Sequence, residues 1–247
     1  IIAFRKCLPL APDDPAVRYE IAYAHYVAGE PEAALAELEP LLASYPTDWE
    51  LHYLSGSAQV AVGQYAAAEA SFRRAKELLP EGEDGEGLED ALQSALRHQE
   101  FATREPWDVK ARLYAEFGIL CLGAQGDDGL RIPALPRASL GFPDLGRMLQ
   151  RFHALRIRWR WQVHVVVPVD EQSLPLAVAM AHSLRAPLAE VQDTPRAGLS
   201  LLVWSKVTVP ELLTVIAERV AGRYVSFVGA LTESDLERVL PDIIGVV

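Results

Sequence analysis

Three groups of side chains in this sequence have the types and spacing to carry chemistry or hold a partner. The first is the acidic pair Asp170-Glu171, which with Gln172 and Ser173 follows an apolar run ending in Val165-Val166-Val167. Two carboxylates can serve as general acid and base if one has a raised pKa and a histidine stands near; His164 and His182 are the candidates. Ser173, Ser205 and Thr208 belong to two loops, 169–173 and 204–209, that a nucleotide ligand would use. The plainer reading, two ordinary carboxylates in a solvated loop, is preferred. The second group is Tyr19, Tyr23 and Tyr26, spaced i, i+4, i+7 on one helix face, with Tyr53 placed 34 residues after Tyr19. Rigid aromatics with a polar tip suit a peptide-binding surface. The third is the run of Arg147, Arg151, Arg156, Arg158 and Arg160 interleaved with Trp159 and Trp161, the one basic and aromatic stretch in the chain.

Other chemistries find no support. No two histidines or cysteines stand at metal-ligand spacing, Ser200 and Ser205 lack a nucleophile motif, and no cofactor is expected. Cys7 and Cys121 are too few for a disulfide framework and read as buried free thiols. No apolar run approaches the roughly 20 residues of a membrane helix, and no secretory signal pattern opens the chain, so a soluble cytoplasmic protein is expected. The first residue is Ile1, and an upstream segment is open.

With 247 residues, half of them apolar, the chain has room for two ordinary domains. The net charge of −11 falls almost wholly on the first: residues 1–104 carry −10 and residues 105–247 carry −1. An acidic first half is a poor nucleic-acid binder and suits a basic protein segment.

The elements that must position these residues follow from periodicity. Pro12, Pro46 and Pro80 are 34 residues apart, and Tyr19/Tyr53, Gly29/Gly63, Ala33/Ala67, Ala34/Ala68 and Phe4/Leu38/Phe72 return in register. That period is a helical-hairpin repeat. Helices are predicted over Pro15–Ala28, Pro31–Ser44, Asp48–Val62 and Tyr65–Leu79, each pair turning at a glycine, with a capping helix over Leu88–Arg104. Residues 1–11 read as the end of an earlier helix. Beyond Pro106, residues 112–123 are helix or strand by pattern, and a Gly- and Pro-rich loop follows. A helix over Asp144–Leu155 then leads into a strand over Ile157–Val167, which would place Arg156, Arg158 and Arg160 on one strand face. The predicted order continues with helix 173–184, strand 188–191, strand 199–204, helix 209–221, strand 224–230, helix 233–240 and a final apolar piece 243–247. Alternating strands and helices predict a doubly wound, mainly parallel sheet. The fold class is thus α + α/β, with a helical repeat domain over 1–104 and an α/β domain over 105–247.

Residues 1–80 resemble the tetratricopeptide repeat, through the turn glycines 29 and 63, Ala34 and Ala68 at the helix crossing, Tyr65, Leu38, Phe72 and the closing prolines. His25, Gln59, Ser55 and Pro31 depart from its pattern. The resemblance implies a concave groove formed by the first helix of each unit, lined here by Tyr19, Tyr23, Tyr26, Val27, Glu50, Tyr53, Ser57 and Val60. The order and hydrophobic pattern of residues 108–247 resemble a type I phosphoribosyltransferase. That family's diphosphate-binding signature has an acidic pair and a Thr-Thr-Gly-type turn. Trp204-Ser205 and Thr208-Val209-Pro210 stand in their places, and only Thr208 survives. The loop Val169-Asp170-Glu171-Gln172-Ser173 has no glycine, and its two carboxylates would repel an anion.

The expected function is a non-enzymatic binding or adaptor protein that recognises a partner, a protein or a basic peptide, through the repeat groove. The alternative is a nucleotide- or phosphoribosyl-diphosphate-binding enzyme or sensor using Asp170, Glu171, Ser173, Ser205 and Thr208. Nucleic acid is not the expected partner; a homodimer is open. For the Arg-Trp stretch the structural reading, a solvated sheet edge or docking against the acidic half, is preferred to nucleic-acid binding.

Overall fold

A computed structural model of the chain describes residues 14–83, 85, 87–101, 108–124, 141–236 and 238–246. The predicted terminal turns with Phe4, Cys7 and Pro12, the end of the capping helix past Phe101 and most of the Gly/Pro loop lie outside the described residues. Two compact units divide the chain, Ile1–Glu105 and Pro106–Val247.

The first unit is all-helical: α1 (Pro15–Val27), α2 (Pro31–Ser44), α3 (Trp49–Ala61), α4 (Tyr65–Leu78) and α5 (Leu88–Phe101). Asp14 and Asp48 cap α1 and α3 alike, each carboxylate accepting a backbone N–H of the first turn. Both hairpins turn the same way. Gly29 and Gly63 adopt φ of 75° and 77°, and the residue after each donates its N–H five residues back, Glu30 to His25 and Gln64 to Gln59. Only glycine takes that left-handed conformation without a steric cost. The repeat is equally strict in the core, where Ala34, Leu38, Ala68 and Phe72 are all buried. A helix that buries one stripe alone cannot hold its fold, so α5 closes the stack by covering Ala68, Phe72 and Ala75 with Leu88, Leu92 and Ala95.

The second unit is a five-stranded, all-parallel sheet between helices. Its elements are α6 (Val109–Phe117), β1 (Leu120–Cys121), α7 (Phe142–Arg158), β2 (Val163–Pro168), α8 (Leu174–Leu184), β3 (Leu199–Lys206), α9 (Glu211–Ala217), β4 (Arg223–Ala230) and β5 (Ile243–Val246), with strand order β1-β5-β4-β3-β2. The strands read as unbroken apolar runs because both faces are covered. Val166, Leu201, Val203, Phe227 and Ile243 pack under α7 and α8, while their neighbours Val167, Leu202, Trp204, Val228 and Ile244 pack under α6 and α9. The connection after β2 therefore leaves to one face and the connection after β3 to the other. The carboxyl ends of the strands are the place where open α/β sheets accept ligands.

The structure corrects three predicted elements and resolves a fourth. The strand expected over Ile157–Val167 begins only at Val163, because α7 runs on to Arg158. Leu145, Met148, Phe152 and Leu155 keep a helical stripe against the sheet core, and that packing outweighs the local alternation of Arg and Trp. Arg156 and Arg158 are thus helical and share no strand face with Arg160. The strand expected over 188–191 is reduced to a bridge between Leu188 and Val166, followed by a short 3-10 turn over Val191–Asp193. The helix expected over 233–240 is one 3-10 turn, Glu233–Asp235, with the Asp235 carboxylate accepting from Thr232 instead of continuing a helix. The ambiguous stretch 112–123 divides at Gly118, which ends α6 in the left-handed conformation before β1.

Candidate functional site

The predicted groove residues divide into two sets. On α1, Tyr23 is 49% exposed and Val27 67% exposed, and Glu50 at the start of α3 is exposed as well. Tyr19 and Tyr26 are half-buried against Ala22, Leu38, Leu41, Leu51 and Leu54. The Tyr19 phenol is pushed above its usual value by burial first and then by the carboxylates of Glu50, Glu20 and Asp48, with Tyr23 adding to the effect. Tyr19, Tyr23, Glu50, Glu20 and Asp48 therefore form one neighbourhood, aromatic at its centre and acidic at its rim. The other set is structural. Tyr53 stacks at 5.8 Å on Phe72 and 6.5 Å on Trp49, and burial, then Tyr26, raises its phenol. Val60 packs on the same core cluster, and the Ser57 hydroxyl donates to the Tyr53 carbonyl within α3.

At the carboxyl ends of β2 and β3 the structure brings four of the five predicted loop residues together. The Asp170 carboxylate accepts from the Ser173 N–H at 2.8 Å, the Ser173 hydroxyl at 2.6 Å and the Trp204 indole N–H at 2.8 Å. The Thr208 hydroxyl reaches the same carboxylate at 3.5 Å. Ser173 Oγ in turn accepts from the Ser205 N–H at 2.9 Å and lies 3.4 Å from its hydroxyl. Ser173 and Trp204 are both fully buried. The Asp170 carboxylate and the Ser173 hydroxyl are satisfied within this knot, which ties the β2 loop to the end of β3. Glu171 and Thr208 are exposed.

Neither histidine can serve Asp170. His164 lies at the start of β2, where Nδ1 accepts from the Leu199 N–H, and Asp170 is six positions further on, about 20 Å along extended chain. His182 is exposed in the last turn of α8, the helix that begins beside the end of β2 and runs away from it. Cys121 is a half-buried thiol donating to the Gly123 carbonyl. Among the described residues no cluster of histidine, cysteine and carboxylates could hold a metal ion, and no helix is long and apolar enough to cross a membrane.

One feature had no signal in the sequence. A cavity of about 330 Å³ opens between α9 and the segment before β5, lined by Leu213, Thr214, Glu218, Tyr224, Arg238 and Asp242 among others. Asp242 closes it by accepting the Ser226 N–H and hydroxyl, both at 2.7 Å. Its walls come from three segments spread over Pro210–Asp242, and no motif joins them.

No protein-family profile matches the chain, and no curated protein does. Among solved structures it is similar to an O-GlcNAc transferase of Thermobaculum terrenum, at 16% identity and a TM-score of 0.39, over 92% of this chain and 46% of that one. The chain thus spans a little under half of that protein's length.

Proposed function

We propose that this chain is a non-enzymatic binding protein whose working surface is the first-helix face of a tetratricopeptide-type repeat, and that its partner is a basic peptide or protein segment. The observation that carries the reading is the neighbourhood of Tyr19 and Tyr23, where Glu20, Asp48 and Glu50 bear on the Tyr19 phenol while Tyr23 stays half-exposed. Exposed rings in an acidic rim suit lysine and arginine side chains, through cation–π contacts and charge together. The acidic balance of residues 1–104 would steer such a partner and oppose an anionic one.

The carboxyl ends of β2 and β3 support the non-enzymatic half of the reading, since the Asp170 carboxylate there is consumed in holding Ser173 and Trp204. The second reading, a sensor or enzyme of the phosphoribosyltransferase type, rests on the position of these strand ends and on the exposed Glu171. Calorimetric titration separates the two. Lysine- and arginine-rich peptides give heat that Tyr23→Ala lowers by roughly tenfold in affinity or more, and phosphoribosyl diphosphate and nucleotides give none. Saturable heat with either phosphate ligand, together with silence from every basic peptide, would reverse the assignment.

A further inference from the structure

The arginine-tryptophan stretch acquires a definite geometry once α7 is seen to reach Arg158. From Leu145 to Val169 the chain holds five arginines, two histidines, no lysine and no acidic residue, in a protein of net charge −11. Arg147 pairs with Asp144, and Arg151 donates to the Leu122 carbonyl. Arg158 and Arg160 are exposed and make no ion pair or side-chain hydrogen bond among the described residues, and the half-buried Arg156 has a buried Nε with no partner. Trp161 is packed against the sheet core, and Trp159 lies on it, ring centroids 5.0 Å apart and planes inclined by 32°. The anchored ring holds the other outward, 43% exposed, at the residue between Arg158 and Arg160.

A second, independent feature marks the same turn. Arg160 ends α7 with φ of 55°, its N–H donating to the Ile157 carbonyl and the next N–H, of Trp161, donating to that of Arg156. Glycine is the residue for this left-handed position, and an arginine there is strained. Arg185 is the other positive-φ residue that is not glycine among those described, and it ends α8 in the same way. Helices α7 and α8 cover the same sheet face, and both run against the strands. Their ends, with Arg158, Arg160 and the exposed Arg185, therefore meet the amino-terminal end of that face beside β2. Strain held at two arginines where glycine would relax the backbone points to side chains kept for use.

We infer that this patch binds a single-stranded polynucleotide, its phosphates on Arg158, Arg160 and Arg185 and an unpaired base on Trp159. Guanidinium groups match phosphate geometry, and an indole face accepts any base by stacking. An acidic peptide would use the arginines and leave the indole idle. A bilayer would need a broad apolar face, and Leu145, Met148, Phe152 and Leu155 of α7 are spent on the sheet core, which leaves Ile157 alone exposed beside Trp159 in the last turns. The surface is separate from the repeat face proposed above and does not depend on it.

The test is fluorescence anisotropy of a labelled oligothymidylate and a labelled oligouridylate with the full chain, beginning near about 50 mM salt, where phosphate contacts are strong. Binding is expected with a log–log salt slope of roughly −2 to −3, about 0.7 per phosphate contact. Trp159→Ala should weaken it by roughly five- to 150-fold. Arg160→Gly should weaken it too and yet raise the melting temperature by about 2–4 °C, because the cap strain is relieved. No binding by either oligomer, full affinity in both variants, or equal binding to poly-glutamate or to phosphatidylserine vesicles would each overturn the assignment. Preference for one oligomer tells whether the ribose hydroxyl is read, and either preference supports the site.

Discussion

The two hairpins solve the same packing problem with different pairs of side chains, and exchanging the pairs tests the repeat quantitatively. Ala22 and Leu38 cross in the first unit; 34 residues on, Gly56 and Phe72 cross in the second, and all four are buried. A methyl group placed on Gly56 would lie 2.6 Å from Phe72 Cε1 and 2.7 Å from Cδ1, about 0.8 Å closer than ordinary contact. The ring has little room to retreat, being 1% exposed and backed by Tyr53. Gly56→Ala then sets roughly 1–3 kcal/mol of overpacking against the roughly 1 kcal/mol that alanine contributes over glycine inside a helix. A net loss of about 1 kcal/mol is expected. Phe72→Leu alone should lose about 1–2 kcal/mol through the space it leaves. The double variant recreates the first unit's pair, keeps the helix gain and fills the space, so it should return to within about 0.5 kcal/mol of the parent. Urea unfolding followed by circular dichroism at 222 nm reads all four proteins. Losses that simply add would refute the claim that Gly56 is a glycine because Phe72 is a phenylalanine.

Further outcomes follow from the sites. Asp170→Ala should destabilise the α/β unit by about 2–3 kcal/mol, since a carboxylate that accepts three close hydrogen bonds is removed; urea unfolding followed by Trp204 emission checks it, and an unchanged midpoint would argue that Asp170 is held for a ligand. Glu50→Gln should bring the Tyr19 phenol down toward its usual value, a change visible in ultraviolet titration against a Tyr19→Phe control. The Glu69 carboxyl is held below its usual range by the Gln99 amide first and Arg73 second. A depressed carboxylate stabilises the fold above its unfolded pKa and loses that contribution as pH falls through its folded one. Gln99→Ala should therefore flatten the loss of stability on acidification below about pH 4.5, and an unchanged acid limb would show that the amide has no such effect.

The repeat was legible because its signals are local: a proline every 34 residues, a glycine at each hairpin turn, and small residues at each crossing. The period also placed Tyr53 level with Tyr19, but it could not tell that the Tyr53 ring would meet those of Phe72 and Trp49. The parallel sheet was legible from its valine and leucine runs, whereas its edges were not. Around Ile157 the alternation of arginine and tryptophan imitated a strand, and only the fit of Met148 and Phe152 against the sheet decides for helix. The gathering of Asp170, Ser173, Ser205 and Thr208 was foreseeable, since Asp170 and Ser173 follow the end of β2 and Ser205 and Thr208 flank the end of β3. That Trp204 would turn its indole to Asp170 and close the knot depends on a contact across 34 residues, which no spacing rule reports.

Hydrogen exchange of the full chain with and without an arginine- and lysine-rich peptide would place the working surface directly. Added protection in α1 around Tyr19, Tyr23, Tyr26 and Val27 and at the start of α3 near Glu50, with residues 169–173 and 204–209 unaltered, is the expected pattern. Protection confined to those two loops, or none in α1 at saturating peptide, would contradict the claim that the repeat face is where this protein binds.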